Sequence, residues 1–240
     1  MKNFNRCLIA SLLLVSAHTA MADDWGGIER YAKANSELAL PAKGEHRVVF
    51  LGNSITEGWY RDHPDFFNSN NYIGRGISGH TSYQFLVRFR EDVINLKPEI
   101  VIINAGTNDC AENTRPFDLE MTFGNIKSMV ELAQANGIKV ILSSVLPSEK
   151  FGWNKNVTDA ADRIAALNAK IKEYAKEKKL PYVDYYSAMV SGPERKLNPA
   201  YTNDGVHPTP AGYDVMESIV KPVIDKTIKK KMNFKNIPVR

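Results

Sequence analysis

Arg47-Val48-Val49-Phe50-Leu51-Gly52-Asn53-Ser54-Ile55-Thr56 carries an apolar, β-branched run into a glycine turn and then into a helical pattern. The run does not alternate, so it predicts a strand buried on both faces, as in a parallel sheet. Working outward, Tyr72-Ile73, Ile100 to Asn104, Lys139 to Val145 and Tyr182 to Asp184 also read as strands. Between them lie helical patterns at about Ser82 to Asn95, Phe117 to Asn136, Asp159 to Lys179 and Pro210 to Ile228. Asn136-Gly137 stops one helix, and Pro210 suits the first turn of the last.

Strand and helix in alternation predict a doubly wound α/β fold. The expected form is a three-layer α/β/α sandwich with a flavodoxin-like parallel sheet of about five strands. Ligands in such sheets bind outside the carboxyl ends of the strands. Ser54 follows the first strand, Gly79 the second and Asn108 the third, so all three are expected on that edge. Asp204-Gly205-Val206-His207-Pro208 precedes the last helix and folds back toward it.

Nucleophilic catalysis needs a hydroxyl, an imidazole to take its proton, a carboxylate to orient that imidazole, and donors aimed at the developing oxyanion. Ser54 sits at a strand-to-helix turn, where the bland alternative is a helix N-cap. Asp204 and His207 are separated by two residues, so one turn can carry both and let the carboxylate accept from Nδ1. A lone histidine in such a turn is ordinarily a surface residue; the pairing and its position favour a base. Gly79 has no side chain to shield its N–H, and its plain role is a tight turn. Asn108 offers a side-chain NH₂, with a loop Asx turn as the alternative.

Gly52-Asn53-Ser54-Ile55-Thr56, Gly76-Ile77-Ser78-Gly79, Gly106-Thr107-Asn108-Asp109 and Asp204-Gly205-Val206-His207-Pro208 together resemble the SGNH/GDSL hydrolase superfamily. The resemblance runs across most of the chain. It places the family's Ser, Gly, Asn and His on Ser54, Gly79, Asn108 and His207. It implies an oxyanion hole of Ser54 N–H, Gly79 N–H and the Asn108 side chain, and an Asp204–His207 pair ahead of the last helix. Where the family usually has Gly-Asp-Ser, this chain has Asn53, which touches local hydrogen bonding and not the triad. The α/β-hydrolase elbow G-x-S-x-G is not matched, because Thr56 occupies its last position.

Lys2 and Arg6, the apolar run Leu8 to Val15, and Ala20-Met21-Ala22 before Asp23-Asp24 read as a secretory signal peptide over residues 1–22. Its apolar core is far below the roughly 20 residues of a membrane span, so no stable membrane insertion is expected. Cys7 precedes the apolar run, which argues against a lipid anchor. The expectation is an exported protein, periplasmic or extracellular, with residues 23–240 as one hydrolase domain of about 218 residues. Losing the leader takes the net charge from +4 to about +2, which gives no case for nucleic acid. The Lys-rich tail (Lys226, Lys229, Lys230, Lys231, Lys235) reads as a solvated end. Cys7 leaves with the leader, so Cys110 stays single and reads as a buried filler.

Two other chemistries compete for these residues. Asp204 and His207 are both metal-ligand types, but His46, His63 and His80 are dispersed and complete no cluster. Gly74-Arg75-Gly76-Ile77-Ser78-Gly79 satisfies G-x-G-x-x-G, yet the acidic residue about 20 positions on, Glu99, stands at the wrong end of its strand for a ribose. No metal or organic cofactor is implied.

The activity expected is that of a serine esterase acting through an acyl-enzyme, with a small-molecule or oligosaccharide ester as substrate. Short acyl groups are the preferred target, and for an exported chain the resemblance implies O-acetyl on carbohydrate above all. A lysophospholipase or platelet-activating-factor acetylhydrolase-like lipid esterase is the alternative, and a non-catalytic glycan-binding protein is a third reading. Phe151 and Trp153 in the loop after the fourth strand, and Trp59 just after the nucleophile segment, are the expected substrate-binding aromatics, with Tyr60 and Arg61 as further candidates.

Overall fold

The computed structural model describes residues 23–229; the predicted leader and Lys230, Lys231 and Lys235 lie outside them. Val48–Gly52 forms β1, buried at every position. It is joined by β2 (Tyr72–Gly76), β3 (Ile100–Ile103), β4 (Lys139–Ser143) and β5 (Tyr182–Val183) in a parallel sheet of order β2-β1-β3-β4-β5. This is the expected doubly wound, flavodoxin-like order.

The helices are α1 (Ala32–Glu37), α2 (Ser54–Asp62), α3 (Pro64–Asn68), α4 (Ser82–Asp92), α5 (Thr107–Cys110), α6 (Leu119–Ala135), α7 (Ala160–Glu177), α8 (Tyr185–Met189) and α9 (Pro210–Lys229). A short antiparallel pair, β6 (Val190–Ser191) with β7 (Lys196–Leu197), follows α8.

Successive strand residues point to opposite faces, and the two faces feed two separate cores. Val49, Leu51, Val101, Ile103, Val140 and Leu142 pack with residues of α4, α6 and α7. Val48, Phe50, Ile100, Ile102 and Ile141 pack with residues of α2, α3, α8 and α9. The non-alternating apolar character of the strands follows, since neither face meets water. Cys110 is fully buried in the first core, and burial pushes its thiol well above the usual range.

Among the boundaries that differ from the sequence reading, two have plain physical reasons. β2 extends three residues past Ile73, through glycines that carry no strand propensity of their own. Those glycines allow α2 to lie against the strand: a Cβ on Gly76 would fall 2.2 Å from the Glu57 backbone nitrogen. The glycine-rich series is therefore spent on a helix–strand contact and a turn, and the dinucleotide reading loses its loop. β4 ends at Ser143, because Val145 bonds to a side chain instead of a strand. Its N–H donates to Asn168 Oδ1 at 2.7 Å and its carbonyl accepts from Asn168 Nδ2 at 2.9 Å.

Candidate active site

Ser54 is the first residue of α2, and Asn53 is the N-cap. Asn53 Oδ1 accepts the Ile55 N–H at 3.0 Å, which leaves the serine hydroxyl free of capping duty. Its Nδ2 is buried with no hydrogen-bond partner among the described residues, so the half of the amide that differs from an aspartate is unused. Ser54 Oγ lies 2.8 Å from His207 Nε2, and His207 Nδ1 lies 2.7 Å from Asp204 Oδ2.

The loop that brings His207 here is held by its own side chains. Thr202 Oγ1 donates to the His207 carbonyl at 2.8 Å, across a bridge between Thr202 and Pro208. Asp204 Oδ1 accepts the N–H groups of Val206 and His207 at 2.9 and 2.8 Å. Partial burial works to raise the Asp204 carboxyl, but the hydrogen bonds from His207 and Val206 outweigh it and hold the pKa at about 2. An ionised carboxylate thus faces the imidazole and fixes its Nδ1–H tautomer.

Gly79 sits at the tip of the exposed turn after β2, with φ of +78°, a conformation that favours glycine. Asn108, on α5 and only 3 % exposed, donates through Nδ2 to the His80 carbonyl at 2.9 Å. The amide carries two hydrogens, so one is left over. Asp109, next in the chain, accepts from the Ser82 N–H and hydroxyl at 3.0 and 2.5 Å. It ties α5 to the start of α4. Burial pushes the Asp109 carboxyl up, against the pull of the Ser82 bonds.

Two supports were not expected from the sequence. Arg88, fully buried on α4, donates to the carbonyls of Gly52 and Arg75 at 2.9 and 3.1 Å and pairs with buried Asp92 at 2.6 Å. It pins together the ends of β1 and β2, from which Ser54 and the Gly79 turn depart. Glu57, one helical turn after Ser54, accepts the Ser78 N–H at 2.9 Å and the Ser78 hydroxyl, and pairs with Arg30 at 2.7 Å. Ser54 and Glu57 have the spacing of a capping box, the one local signal in the sequence that could have pointed to this residue. In the folded chain Glu57 reaches across to another loop instead.

The aromatic candidates separate. Trp153 is 48 % exposed, with its ring 6.2 Å from that of His207 and its Nε1 donating to Asn113 Oδ1 at 2.8 Å. Phe151 is buried beneath it, 5.3 Å between rings, so it supports Trp153 and has no surface to offer a substrate. Trp59 is also corrected. It is 2 % exposed, stacked between Phe66 and Tyr213, with Nε1 donating to Glu217. Trp59 and Ile55 lie four apart on α2, which puts both on the face turned toward the sheet. Tyr60 rests on Gly74, and Arg61 pairs with Asp62.

Asp204 and His207 are joined by no third metal-ligand type among the described residues. The group that does approach a ligand set is His63, Asp214 and Glu217. Glu217 Oε1 there accepts from both Trp59 Nε1 and His63 Nδ1, at 2.9 and 2.8 Å, so these groups satisfy one another.

The parallel sheet with a serine, histidine and aspartate in hydrogen-bond sequence at its carboxyl edge defines a hydrolase of the SGNH/GDSL type. The GDSL-like Lipase/Acylhydrolase family matches residues 50–215, and the chain belongs to this family of carboxylic ester hydrolases. It is similar to a Bacteroides fragilis protein provisionally described as an acylhydrolase: 63 % identity, TM-score 0.86, covering 87 % of this chain and all of that one. A GDSL-like lipase from Bacteroides thetaiotaomicron is 61 % identical with a TM-score of 0.83, covering 84 % of this chain and 98 % of that one. An acetylxylan esterase from Xylanibacter ruminicola is 25 % identical over 225 residues, 78 % of this chain. This chain spans only about half of that longer relative, 45 % of its length.

Proposed function

We propose that the protein is an exported serine esterase that removes short acyl groups, O-acetyl above all, from carbohydrate. The observation that carries this reading is the continuous relay from Ser54 Oγ to His207 Nε2 and from His207 Nδ1 to Asp204, at 2.8 and 2.7 Å.

In the mechanism, His207 Nε2 takes the Ser54 proton as Oγ attacks the ester carbonyl. Asp204 stabilises the resulting imidazolium without taking its proton. The tetrahedral oxyanion is met by the Ser54 and Gly79 N–H groups and the second Asn108 amide hydrogen. Each such donor is worth roughly 3 kcal/mol of barrier. Collapse expels the alcohol, which receives the proton from His207 and leaves an acyl-enzyme on Oγ. Water, deprotonated by His207, then releases the acid and restores Ser54. Every step is run by the chain's own residues.

The carbohydrate preference is supported by the exposed Trp153 face beside His207 and by the likeness to an acetylxylan esterase. Export is supported by the leader-like composition of residues 1–22. The test is acetate release from acetylated xylo-oligosaccharides by wild type and Ser54→Ala, beside aryl esters of rising chain length and a lysophospholipid. Ser54-dependent acetate release that collapses for longer acyl chains is the expected result. Preference for long chains or for the lysophospholipid overturns the carbohydrate reading, and full turnover by Ser54→Ala overturns the mechanism.

A further inference from the structure

An open groove of about 610 Å³ is lined by Ser78, Gly79, His80 and Asn113 together with Trp25 and Trp153. Both indoles are 48 % exposed, and both line this one groove. Trp25 comes from a segment that no family motif includes, before the first strand.

Both walls are held before any ligand arrives. On one side, Asp24 accepts the N–H groups of Ile28 and Glu29 at 2.9 Å, and Gln84 Nε2 donates to the Trp25 carbonyl at 2.9 Å. On the other, Trp153 Nε1 donates to Asn113, whose Nδ2 in turn donates to the Gly79 carbonyl at 3.1 Å. The wall near His207 is therefore tied to the turn that carries Gly79.

The groove's lining carries no uncompensated charge. Glu112 pairs with Arg163 at 2.7 Å. Burial, helped by the nearby Arg88 charge, holds the His80 imidazole down to about 4, so it is neutral at physiological pH. The remaining lining is amide, hydroxyl and indole. A phosphate headgroup would want a cation here, and an acyl chain would want an enclosed apolar channel. A pyranose ring wants what is present: its C–H faces lie on indole faces, while its hydroxyls meet amides and water.

We propose that the Trp25–Trp153 groove binds a neutral sugar chain, holding the units next to the one that carries the ester. This rests on the carbohydrate-esterase reading and extends it to residues outside the triad. The rigid walls keep the ordering cost of binding low.

Calorimetric titration of xylohexaose, which has no ester, into the Ser54→Ala protein tests the groove apart from chemistry. Saturable binding is expected, weakened about tenfold by adding Trp25→Ala and similarly by Trp153→Ala, the loss usual for a buried-face indole anchor. Trp25→Phe keeps an aromatic face and is expected to retain most of the affinity, which separates ring contact from misfolding. Absence of xylohexaose binding, binding indifferent to both tryptophans, or displacement by lysophospholipid overturns the proposal. If xylohexaose binds through both tryptophans but acetate release is Ser54-independent, the groove stands and the esterase mechanism falls. If Ser54-dependent acetate release persists without xylohexaose binding, the groove falls and the mechanism stands.

Discussion

Glu57 Oε2 accepts the Ser78 backbone N–H at 2.9 Å, so the helix that starts at Ser54 also grips the turn that carries Gly79. The carboxylate is partly withdrawn from water, which works to raise its pKa; the Ser78 and Arg30 bonds win and lower it. It therefore stays ionised at neutral pH and keeps its grip.

Replacing Glu57 with Ala is expected to lower kcat about tenfold with KM little changed, because a loosened Gly79 N–H is lost chiefly in the transition state. Glu57→Gln keeps one acceptor oxygen and should fall by less. Equal losses in kcat and stability, with no recovery in Glu57→Gln, would assign the residue to folding alone.

Asp204→Asn keeps the shape of the loop but presents the wrong tautomer to Ser54. The loss of kcat should approach the ~10⁴-fold seen when a triad carboxylate is amidated. The wild-type carboxyl, held at about 2, remains ionised through the whole acid range of an ordinary assay. The acid limb of kcat/KM should thus follow a single proton, with slope one, and a slope of two would show that the carboxylate titrates as well.

Arg88 and Asp92 form an ion pair with no exposed side-chain surface, and Arg88 also satisfies two strand-end carbonyls. Arg88→Met leaves the Asp92 charge buried without its counter-ion, held by the Asn35 amide at 2.9 Å, with an expected cost of about 3–5 kcal/mol in chemical denaturation. A loss below about 1 kcal/mol would show that the pair does little to hold the two strand ends.

His80 titrates lower in the folded chain, at about 4, than the ordinary ~6.5 of an unfolded imidazole. Between those values the unfolded chain binds a proton that the folded chain refuses, so stability falls as pH drops through that window. His80→Asn should flatten that part of the stability profile. An unchanged slope between pH 7 and 4.5 would show that His80 is protonated in the native state.

Trp59 and Trp153 should behave as opposites despite both having drawn attention as substrate aromatics. Trp59→Ala empties a stacked core position and is expected to cost about 3–5 kcal/mol of stability. Trp153→Ala removes a half-exposed ring and should leave the melting temperature nearly unchanged while weakening oligosaccharide affinity. Reversal of these two outcomes would refute the burial assignment.

Much of this was legible along the chain. Strands buried on both faces write themselves as unbroken apolar runs, so β1, β3 and β4 were plain, and their alternation with helices dictated the layers. Ser54, Asp204 and His207 were legible because each stands in a short segment of fixed spacing, at a strand end or before a helix. The extent of β2 was not, since Gly74 and Gly76 are strand residues only by virtue of a helix lying on them. Trp59 misled for a related reason: an aromatic near a nucleophile looks the same in sequence whether its helix turns it inward or out.

The sequence by itself determined the periodicities, the strand-to-helix turn at Ser54 and the Asp204–His207 pairing, because these depend on neighbours a few positions apart. Only the tertiary structure decided that Glu57 caps a distant turn rather than its own helix, that Arg88 locks two strand ends, and that Trp25 faces Trp153's groove. The Glu57 and Arg88 bonds join residues 13 to 36 positions apart, and the two tryptophans that line the groove stand more than 100 positions apart. Their partners are chosen by the closing of the sheet and the packing of helices upon it, which no local pattern encodes.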